Sequence, residues 1–260
     1  MTAIFSDTHG NSPATKAVVE DIRSRNAEKL IFPGDAMTGP DPRGTMDILS
    51  ECRCIPVSGN VEQWIIQGDI YRTPDPEVEP VKAVIEKMSW VSDNIRKDHL
   101  DWILTWPDEY RENDAYFVHD TPSDRKRERM LRKNSDPEGY LYHAKGLRED
   151  SPETAFAEHV SLAVDLGFRK VFFGHTHAPY VRAVGGVTFC NVGSAGFSLD
   201  ADPRPSWVSW DGDKIQIHHV DYDLEETISL VRSTKYPLPE REEYVYMLRT
   251  GNHWRTYPRS

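Results

Sequence analysis

The chain has 260 residues, of which 38% are hydrophobic and 28% are charged, a composition typical of one folded domain. Its formal net charge is -11, and an acidic surface repels nucleic acids at long range, which argues against a protein that binds extended DNA or RNA. No stretch reaches about 18 consecutive apolar residues and no basic, apolar leader begins the chain, so we expect no membrane span and a cytoplasmic location.

The first sixty residues alternate between short apolar stretches and amphipathic stretches. Strands are predicted at residues 2–6, 30–32 and 55–57. Helices are predicted from Ser12 to Arg25 and from about Pro42 to Glu51, the first of them beginning with a serine and a proline. This alternation of strands and helices favours a mostly parallel sheet.

The middle of the chain is predicted to be mainly helical. Residues 62–110 contain four tryptophans among helical patterns and a proline-rich break, and we interpret this stretch as a helical insertion or cap whose aromatic residues are mainly core. Residues 115–118 and 171–173 are predicted strands, with a helix at about 151–166 between them. The segment 123–150 is rich in charged residues, which is typical of a solvated loop or helix face.

Two hairpins and a helix are predicted near the end of the chain. Residues 180–191 contain two strands around a Gly-Gly turn, and residues 206–220 contain two strands around Asp-Gly-Asp. We expect these strands to form a second, more antiparallel region. A helix is predicted at 224–233, and residues 224–260 are interpreted as a helical and coil tail of a single domain spanning 1–260.

The three cysteines are predicted to be free thiols. They are Cys52, Cys54 and Cys190, and no CxxC pair is present. Cys52 and Cys54 are so close in sequence that an easy disulfide is not expected. Free thiols of this kind are typical of a reducing compartment.

Polar residues that can bind metal ions follow five successive predicted strands. They are Asp7, His9, Asp35, Asn60, His119, His175 and His177. Each one alone is better explained as a turn or cap residue, but five strand ends in succession are not. Because the carboxyl ends of parallel strands meet at one edge of a sheet, we expect these side chains to converge.

The ligand types indicate a particular chemistry. Imidazole and carboxylate together favour manganese, iron, zinc or nickel over calcium. One carboxylate can bridge two ions, and two ions about 3.5–4 Å apart can clamp a phosphoryl group during an in-line displacement. A water molecule that bridges such ions is acidic enough to attack as hydroxide near neutral pH.

The same residues resemble the motifs of the calcineurin-like metallophosphoesterase superfamily. Five motifs occur in the expected order: Asp7-Thr8-His9, Gly34-Asp35, Gly59-Asn60, His119, and Gly174-His175-Thr176-His177. The segments 6–14, 34–42, 191–196 and 202–204 are similar to those of the small bacterial and archaeal branch. That branch includes phosphodiesterases and diadenosine tetraphosphatase-like proteins.

The resemblance implies an α/β fold with four layers, in which a sandwich of two mixed sheets is flanked by helices. It also implies two divalent metal ions, which could be manganese, iron, zinc or nickel. Asp7, His9 and His177 would hold the first ion, Asn60, His119 and His175 the second, and Asp35 would bridge both. Asp35, Asn60 and His119 are the expected catalytic residues.

One departure from the family pattern bears on the substrate. The larger phosphatases follow Gly-Asn with a histidine that protonates the leaving group, and Val61 stands at that position here. Valine cannot transfer a proton, which favours a phosphodiester or pyrophosphate-like bond over an alkyl phosphomonoester. A small phosphate ester is therefore the expected substrate, with phosphomonoesterase and dinucleoside polyphosphatase as alternatives. A non-catalytic metal-binding scaffold is the alternative of another class, and the complete set of ligand residues argues against it.

Three residues are candidates for substrate binding. Asn11 follows the first motif and could contact a phosphate oxygen or cap a helix, and the sequence favours the two roles equally. Arg43 and Arg204 lie in loops that resemble family motifs, and arginine binds phosphate through two parallel hydrogen bonds. An exposed arginine is more often simply solvated. The sequence leaves the oligomeric state open.

Overall fold

The structure of the protein is a computed structural model that describes residues 1–67, 79–120, 146–212, 214–237, 241–253, 256 and 258. Of the predicted charged segment 123–150, residues 123–145 lie outside the described residues. Within the described residues the chain forms ten strands and eight helices. The strands are β1 Thr2–Ile4, β2 Lys29–Phe32, β3 Ile55–Pro56, β4 Glu109–Glu112, β5 Ala115–Val118, β6 Lys170–Phe173, β7 Tyr180–Val184, β8 Val187–Asn191, β9 Ser206–Asp211 and β10 Lys214–His219. The helices are α1 Ser12–Ser24, α2 Pro42–Cys52, α3 Asn60–Gln67, α4 Glu79–Asn94, α5 Lys97–Ile103, α6 Glu153–Asp165, α7 Leu224–Ser233 and α8 Arg241–Thr250.

The strands form two mixed sheets of five strands each. The first sheet has the order β10-β9-β1-β2-β3, and the second has the order β4-β5-β6-β8-β7. Strands β1, β2 and β3 are parallel to one another, as are β5, β6 and β8. The remaining pairs are antiparallel. This arrangement confirms the expected α/β sandwich of two mixed sheets.

The prediction that the two late hairpins form one antiparallel region is wrong. The hairpin β7–β8 extends the second sheet, where β8 pairs in parallel with β6. The hairpin β9–β10 extends the first sheet, where β9 pairs antiparallel with β1. Each hairpin covers a different strand that would otherwise expose its unpaired backbone at a sheet edge. The hairpins themselves form where the turn residues predict them.

Alternation of side chains along the strands builds the layers, because successive residues of a strand point to opposite faces. In β6, Phe172 points into the core between the two sheets. Its neighbours Val171 and Phe173 point to the other face, where they pack in the same cluster as Phe156 of α6. Between the sheets, the rings of Phe172 and Phe117 stack at 5.0 Å between centroids.

Helices cover the outer face of the first sheet as well. Val18 of α1 and Leu49 of α2 belong to one buried cluster with Phe32 of β2. Trp106, from the segment predicted to be an insertion, contacts Phe32 edge-on at 5.9 Å between ring centroids. Met88 of α4 lies in the same cluster. The described part of the segment 62–110 therefore contributes to the core on this side of the sandwich.

The end of the chain contains two helices. Helix α7 lies where the sequence predicts it, and a further helix, α8, follows in the predicted tail. Val231 and Leu248 are buried between these two helices. Within the described residues, no helix combines the length and the apolar character that a membrane crossing requires.

Hydrogen bonds within and between the sheets hold the loops at the edge where the parallel strands end. The Asp7 N–H donates to the Gly34 carbonyl at 3.0 Å, within the first sheet. The Gly174 N–H donates to the His119 carbonyl at 2.9 Å, within the second. The Asp7 carboxylate connects the sheets, because its Oδ2 accepts a hydrogen bond from the His175 N–H at 3.0 Å. The loops that carry the predicted ligands are thus held against each other.

Candidate metal centre

The structure brings all seven predicted ligand residues together at this edge. Within the described residues, six of them form two groups in which the ligand atoms of each group lie within 4.8 Å of one another. The first group contains Asp7, His9 and His177. The second contains Asp35, His119 and His175. The Asn60 amide lies 3.1 Å from the ring nitrogens of both histidines of the second group.

In the first group, acceptor atoms face one another. Asp7 Oδ1 lies 3.3 Å from Nε2 of His177 and 3.6 Å from Nε2 of His9. The two imidazole Nε2 atoms are 3.0 Å apart. Asp7 is fully buried, and in the described part of the chain its Oδ1 has no hydrogen-bond partner. A buried carboxylate oxygen without a donor is costly unless a cation compensates it.

Backbone carbonyls determine which ring nitrogens carry hydrogen. His177 Nδ1 lies 2.9 Å from the Phe197 carbonyl, and His119 Nδ1 lies 2.7 Å from the Pro33 carbonyl. A carbonyl only accepts, so Nδ1 is the donor and Nε2 of the neutral ring keeps its lone pair. Both lone pairs point towards carboxylate oxygens, since His119 Nε2 lies 3.3 Å from Asp35 Oδ2. Ligand histidines of metal sites are oriented in this way by their second ring nitrogen.

Asp35 lies between the two groups. Its Oδ2 is 3.3 Å from His119 Nε2 in the second group and 3.8 Å from His9 Nε2 in the first. Its Oδ1 accepts a hydrogen bond from the Val61 N–H at 2.9 Å, which fixes the carboxylate. One oxygen that faces both groups is the arrangement that a bridging ligand requires.

The Asn60 amide can serve the second group in either of two orientations. With its oxygen towards the imidazoles, it presents a third ligand atom beside His119 and His175. With the amide turned over, its nitrogen donates to both rings and to Asp35 Oδ2 at 3.2 Å. The first orientation suits a bound cation, because amide oxygen is a metal ligand and amide nitrogen is not.

Five of the ligand residues have a left-handed backbone, which is uncommon for residues other than glycine. The φ angles are 56° for Asp7, 41° for His9, 60° for Asp35, 69° for His175 and 59° for His177. Aspartate and histidine tolerate this region better than most residues, yet each instance costs about 1–2 kcal/mol. Strained residues of this kind cluster at functional sites.

The two carboxylates among the ligand residues, Asp7 and Asp35, are held in their charged form. Burial alone would raise the pKa of Asp7, but the nearby His177 and His119 hold that pKa well below its usual range. Burial also acts to raise the pKa of Asp35, and His119 lowers it below its usual value. The imidazoles attract the carboxylates in this way only when they carry a positive charge; beside neutral rings a bound cation would take that role, and in both cases the carboxylates stay ionised.

Glu62 is a residue of this centre that the sequence analysis did not identify. Its fully buried carboxylate accepts hydrogen bonds from the N–H groups of Asp35, Ala36 and Gly59, at 2.9, 2.8 and 2.8 Å. It therefore ties the Asp35 loop to the Asn60 loop. Burial, first, and repulsion from Asp35 raise the pKa of Glu62 to about 7, against the effect of these donors. A signal was present in the sequence, because glutamate three residues after a helix cap is typical of a capping box.

Phe197 is a second residue that was missed, and no sequence pattern indicates it. Its ring centroid lies 4.4 Å from that of His177 and 5.1 Å from that of His9. Its carbonyl accepts the hydrogen bond that orients His177. Phe197 also contacts Tyr244 of α8 at 5.8 Å, so the helices at the end of the chain support this wall of the centre.

Asn11 is placed inside the protein by its contacts. It is fully buried, and its Oδ1 accepts hydrogen bonds from the Ala14 N–H at 3.3 Å and from the Thr227 hydroxyl at 2.8 Å. Its amide nitrogen donates to the Gly196 carbonyl at 2.6 Å. These contacts favour the capping role over phosphate binding. The alternative role in substrate binding stays a prediction.

The two predicted substrate arginines are exposed. Arg204 forms an ion pair with Asp202 at 2.6 Å between Nη2 and Oδ2. Arg43 lies in the first turn of α2. A role for either in binding phosphate stays a prediction.

Comparison with known proteins identifies the family. Residues 1–214 match the calcineurin-like phosphoesterase superfamily domain. The chain belongs to this superfamily. This result confirms the resemblance drawn from the motifs. Together with the two ligand groups, it supports a metal-dependent phosphoesterase, an enzyme that hydrolyses phosphoric esters.

The similar proteins span nearly the whole chain at low sequence identity. An uncharacterized protein of Methanocaldococcus jannaschii is 22% identical over 259 residues, which cover 91% of this chain and 94% of that protein. A metallophosphoesterase of Sphaerobacter thermophilus has a TM-score of 0.67 at 24% identity and covers 96% of this chain and 99% of its own. A hypothetical protein of Pyrococcus horikoshii has a TM-score of 0.71 at 16% identity, and the match covers 97% of this chain and 100% of that protein. At these identities the two structures show the shared fold.

The substitution Asn11→Ala separates the capping role from a substrate contact. It leaves the Gly196 carbonyl, the Thr227 hydroxyl and the Ala14 N–H without their buried partner, so we expect unfolding free energy to fall by about 2–4 kcal/mol. Urea unfolding measures the loss. The control Asp223→Ala removes an exposed cap of α7 and should cost only about 1 kcal/mol. Unchanged stability of Asn11→Ala together with a raised KM would instead establish the substrate contact.

Proposed function

We propose that the protein is a dinuclear metal-dependent phosphodiesterase that acts on a small phosphate ester. The observation that carries this proposal is the position of Asp35 Oδ2, 3.3 Å from a histidine of one ligand group and 3.8 Å from a histidine of the other. A single oxygen so placed favours two ions that share a ligand, which is the geometry used for in-line phosphoryl displacement.

The chain itself contributes charge and fixed geometry to this reaction. When bound, two divalent ions would polarise the phosphoryl oxygens and acidify an attacking water molecule. Asp7 and Asp35 supply the negative charge that holds these ions. The Pro33 and Phe197 carbonyls fix the rings of His119 and His177, so the ligands need no rearrangement as charge develops on the phosphoryl group.

Val61 supports a diester over an alkyl monoester. Its side chain is buried in the apolar core beside α4, and its N–H is used to orient Asp35. Neither part of the residue can donate a proton to a leaving group. An ester whose leaving group needs little protonation is the better substrate for a site of this kind.

Two chromogenic esters test the substrate class. We expect protein stripped with a chelator to hydrolyse neither bis(p-nitrophenyl) phosphate nor p-nitrophenyl phosphate. Addition of manganese, iron, zinc or nickel singly should restore turnover, with the diester faster than the monoester. Absorbance of released nitrophenolate measures both rates.

Other results of this experiment would favour the alternatives. A faster monoester rate would support a phosphomonoesterase, and turnover confined to diadenosine polyphosphates would support a dinucleoside polyphosphatase. Folded protein that binds two ions and hydrolyses none of these compounds would support an interaction scaffold.

Substitution of Asp35 tests the bridging role. Loss of an outer partner of a metal ligand typically costs 10–100-fold in activity, so loss of a shared ligand in Asp35→Asn should lower turnover by more than about a hundredfold. The matched control is Asp114→Asn, whose carboxylate pairs with Lys170 at the opposite end of the parallel strands. The control should keep its rate. Full activity of metal-replete Asp35→Asn would remove the bridging role.

A further inference from the structure

Two cysteine side chains lie together at the end of α2. Cys52 is the last residue of the helix and is half-buried, whereas Cys54 is buried and directly precedes β3. Both are free thiols. Both thiols donate to the same Leu49 carbonyl oxygen, at 3.2 Å from Cys52 Sγ and 3.8 Å from Cys54 Sγ, so the two sulfurs lie beside one shared acceptor.

The residue between them brings their Cα atoms to disulfide distance. Arg53 has φ 53° and ψ 40°, a left-handed helical conformation. Helical geometry of either hand separates the flanking Cα atoms by about 5.4 Å, given a radius of about 2.3 Å and a rise of about 1.5 Å per residue. An extended residue would separate them by about 6.6 Å, near the upper end of the disulfide range. Disulfides have Cα separations of about 4.4–6.8 Å and are most common near 5.5–6 Å.

This geometry changes what the sequence separation suggests. Closeness in sequence argues against an easy disulfide because the bond would close a small ring, and the conformation of Arg53 together with the shared Leu49 acceptor weakens that objection. With Arg53 in the left-handed region and both sulfurs beside one carbonyl oxygen, the two thiols already lie next to each other.

We propose that Cys52 and Cys54 form a reversible dithiol–disulfide site that is oxidised by hydroperoxides. A metal site is a poorer explanation, because within the described residues neither cysteine belongs to a group of three or more metal-binding side chains. A structural staple is also a poorer explanation. The bond would close a loop around one residue, and the stabilisation from restricting the unfolded chain grows with loop length.

The two thiols have different roles in the oxidation. The Cys52 thiolate attacks the O–O bond of the hydroperoxide, its sulfur becomes a sulfenic acid, and the alcohol or water leaves. The Cys54 thiol then attacks the Cys52 sulfur, and the S–S bond forms with release of water. Overall, two thiols lose two hydrogens and one hydroperoxide is reduced. A small dithiol reverses the reaction by exchange.

The surroundings favour Cys52 as the attacking group. When Cys52 is deprotonated, the Cys54 thiol can turn to donate to it, and this contact, with a smaller effect of the Arg23 charge, lowers the pKa of the Cys52 thiol against the effect of burial. The pKa of Cys54 is raised, by its hydrogen bond to Cys52 and by burial. Cys190 is an internal control, because it is fully buried between the sheets and burial raises its pKa.

The test is titration of the whole protein with one equivalent of hydrogen peroxide, followed by alkylation in denaturant and intact-mass analysis. We expect the protein to lose two of its three alkylatable thiols without forming a dimer, and to regain them with dithiothreitol. Peptide mapping should find the bond between residues 52 and 54. Cys190→Ser should behave in the same way. Cys54→Ser should stop at the sulfenic acid, which dimedone traps.

A pair of substitutions at Arg53 tests the geometric argument. Arg53→Gly keeps the left-handed backbone accessible and should form the disulfide at the native rate. Arg53→Val disfavours that backbone and should slow the second step about tenfold. Retention of all three thiols, a sulfenic acid that persists in the unsubstituted protein, or bonds between chains would each overturn the proposal.

Discussion

A buried carboxylate oxygen without a hydrogen-bond donor is the constraint on which the centre depends. Asp7 Oδ1 lies in a fully buried residue, 3.3 Å from an imidazole nitrogen whose hydrogen is on the other side of the ring. Burial of such a group is costly in any folded protein unless a positive charge compensates it. The neighbouring ligands repeat the pattern, since His119 presents a lone pair to Asp35. These lone pairs and carboxylate oxygens repel one another, and a cation between them would be attracted by both.

The fold holds this arrangement from several sides at once. Parallel strands of both sheets deliver the ligand loops to one edge, and the hydrogen bond from His175 to Asp7 joins the sheets directly above that edge. Glu62 ties two of the loops together through three backbone N–H groups. Five ligand residues with left-handed backbone would not persist without such support. The strain and the buried charge both indicate a structure built for binding rather than for stability alone.

The ligand residues could be predicted because their signal is local and repeated. Each follows a short apolar strand, and parallel strands end at a common edge, so sequence order is enough to place the side chains together. The partner of each late hairpin could not be predicted, because pairing depends on which distant strand edge is open. The hairpin turn at Gly185-Gly186 is local, and it lies where the sequence predicts it.

Residues without a chemical motif were harder to identify. Phe197 supports His177 through its ring and its carbonyl, and nothing in its sequence neighbourhood distinguishes it from other loop phenylalanines. The sequence of Asn11 and its neighbours fits a helix cap and a phosphate ligand equally well, and its three buried partners in the structure favour the cap. The conformation of Arg53 is likewise invisible in the sequence, although it sets the separation of the two cysteines beside it. In each case the role of the residue depends on a contact with a distant residue or on a backbone conformation.

The most direct test of the central claim is a count of bound ions together with their magnetic coupling. Chelator-stripped protein is titrated with manganese(II), and bound metal is measured by elemental analysis and by electron paramagnetic resonance. A centre bridged by Asp35 should bind two ions per chain, about 3.5–4 Å apart, and the signal of isolated manganese should disappear as the second ion binds. One ion per chain, or two ions that keep the spectrum of isolated manganese, would contradict a shared ligand.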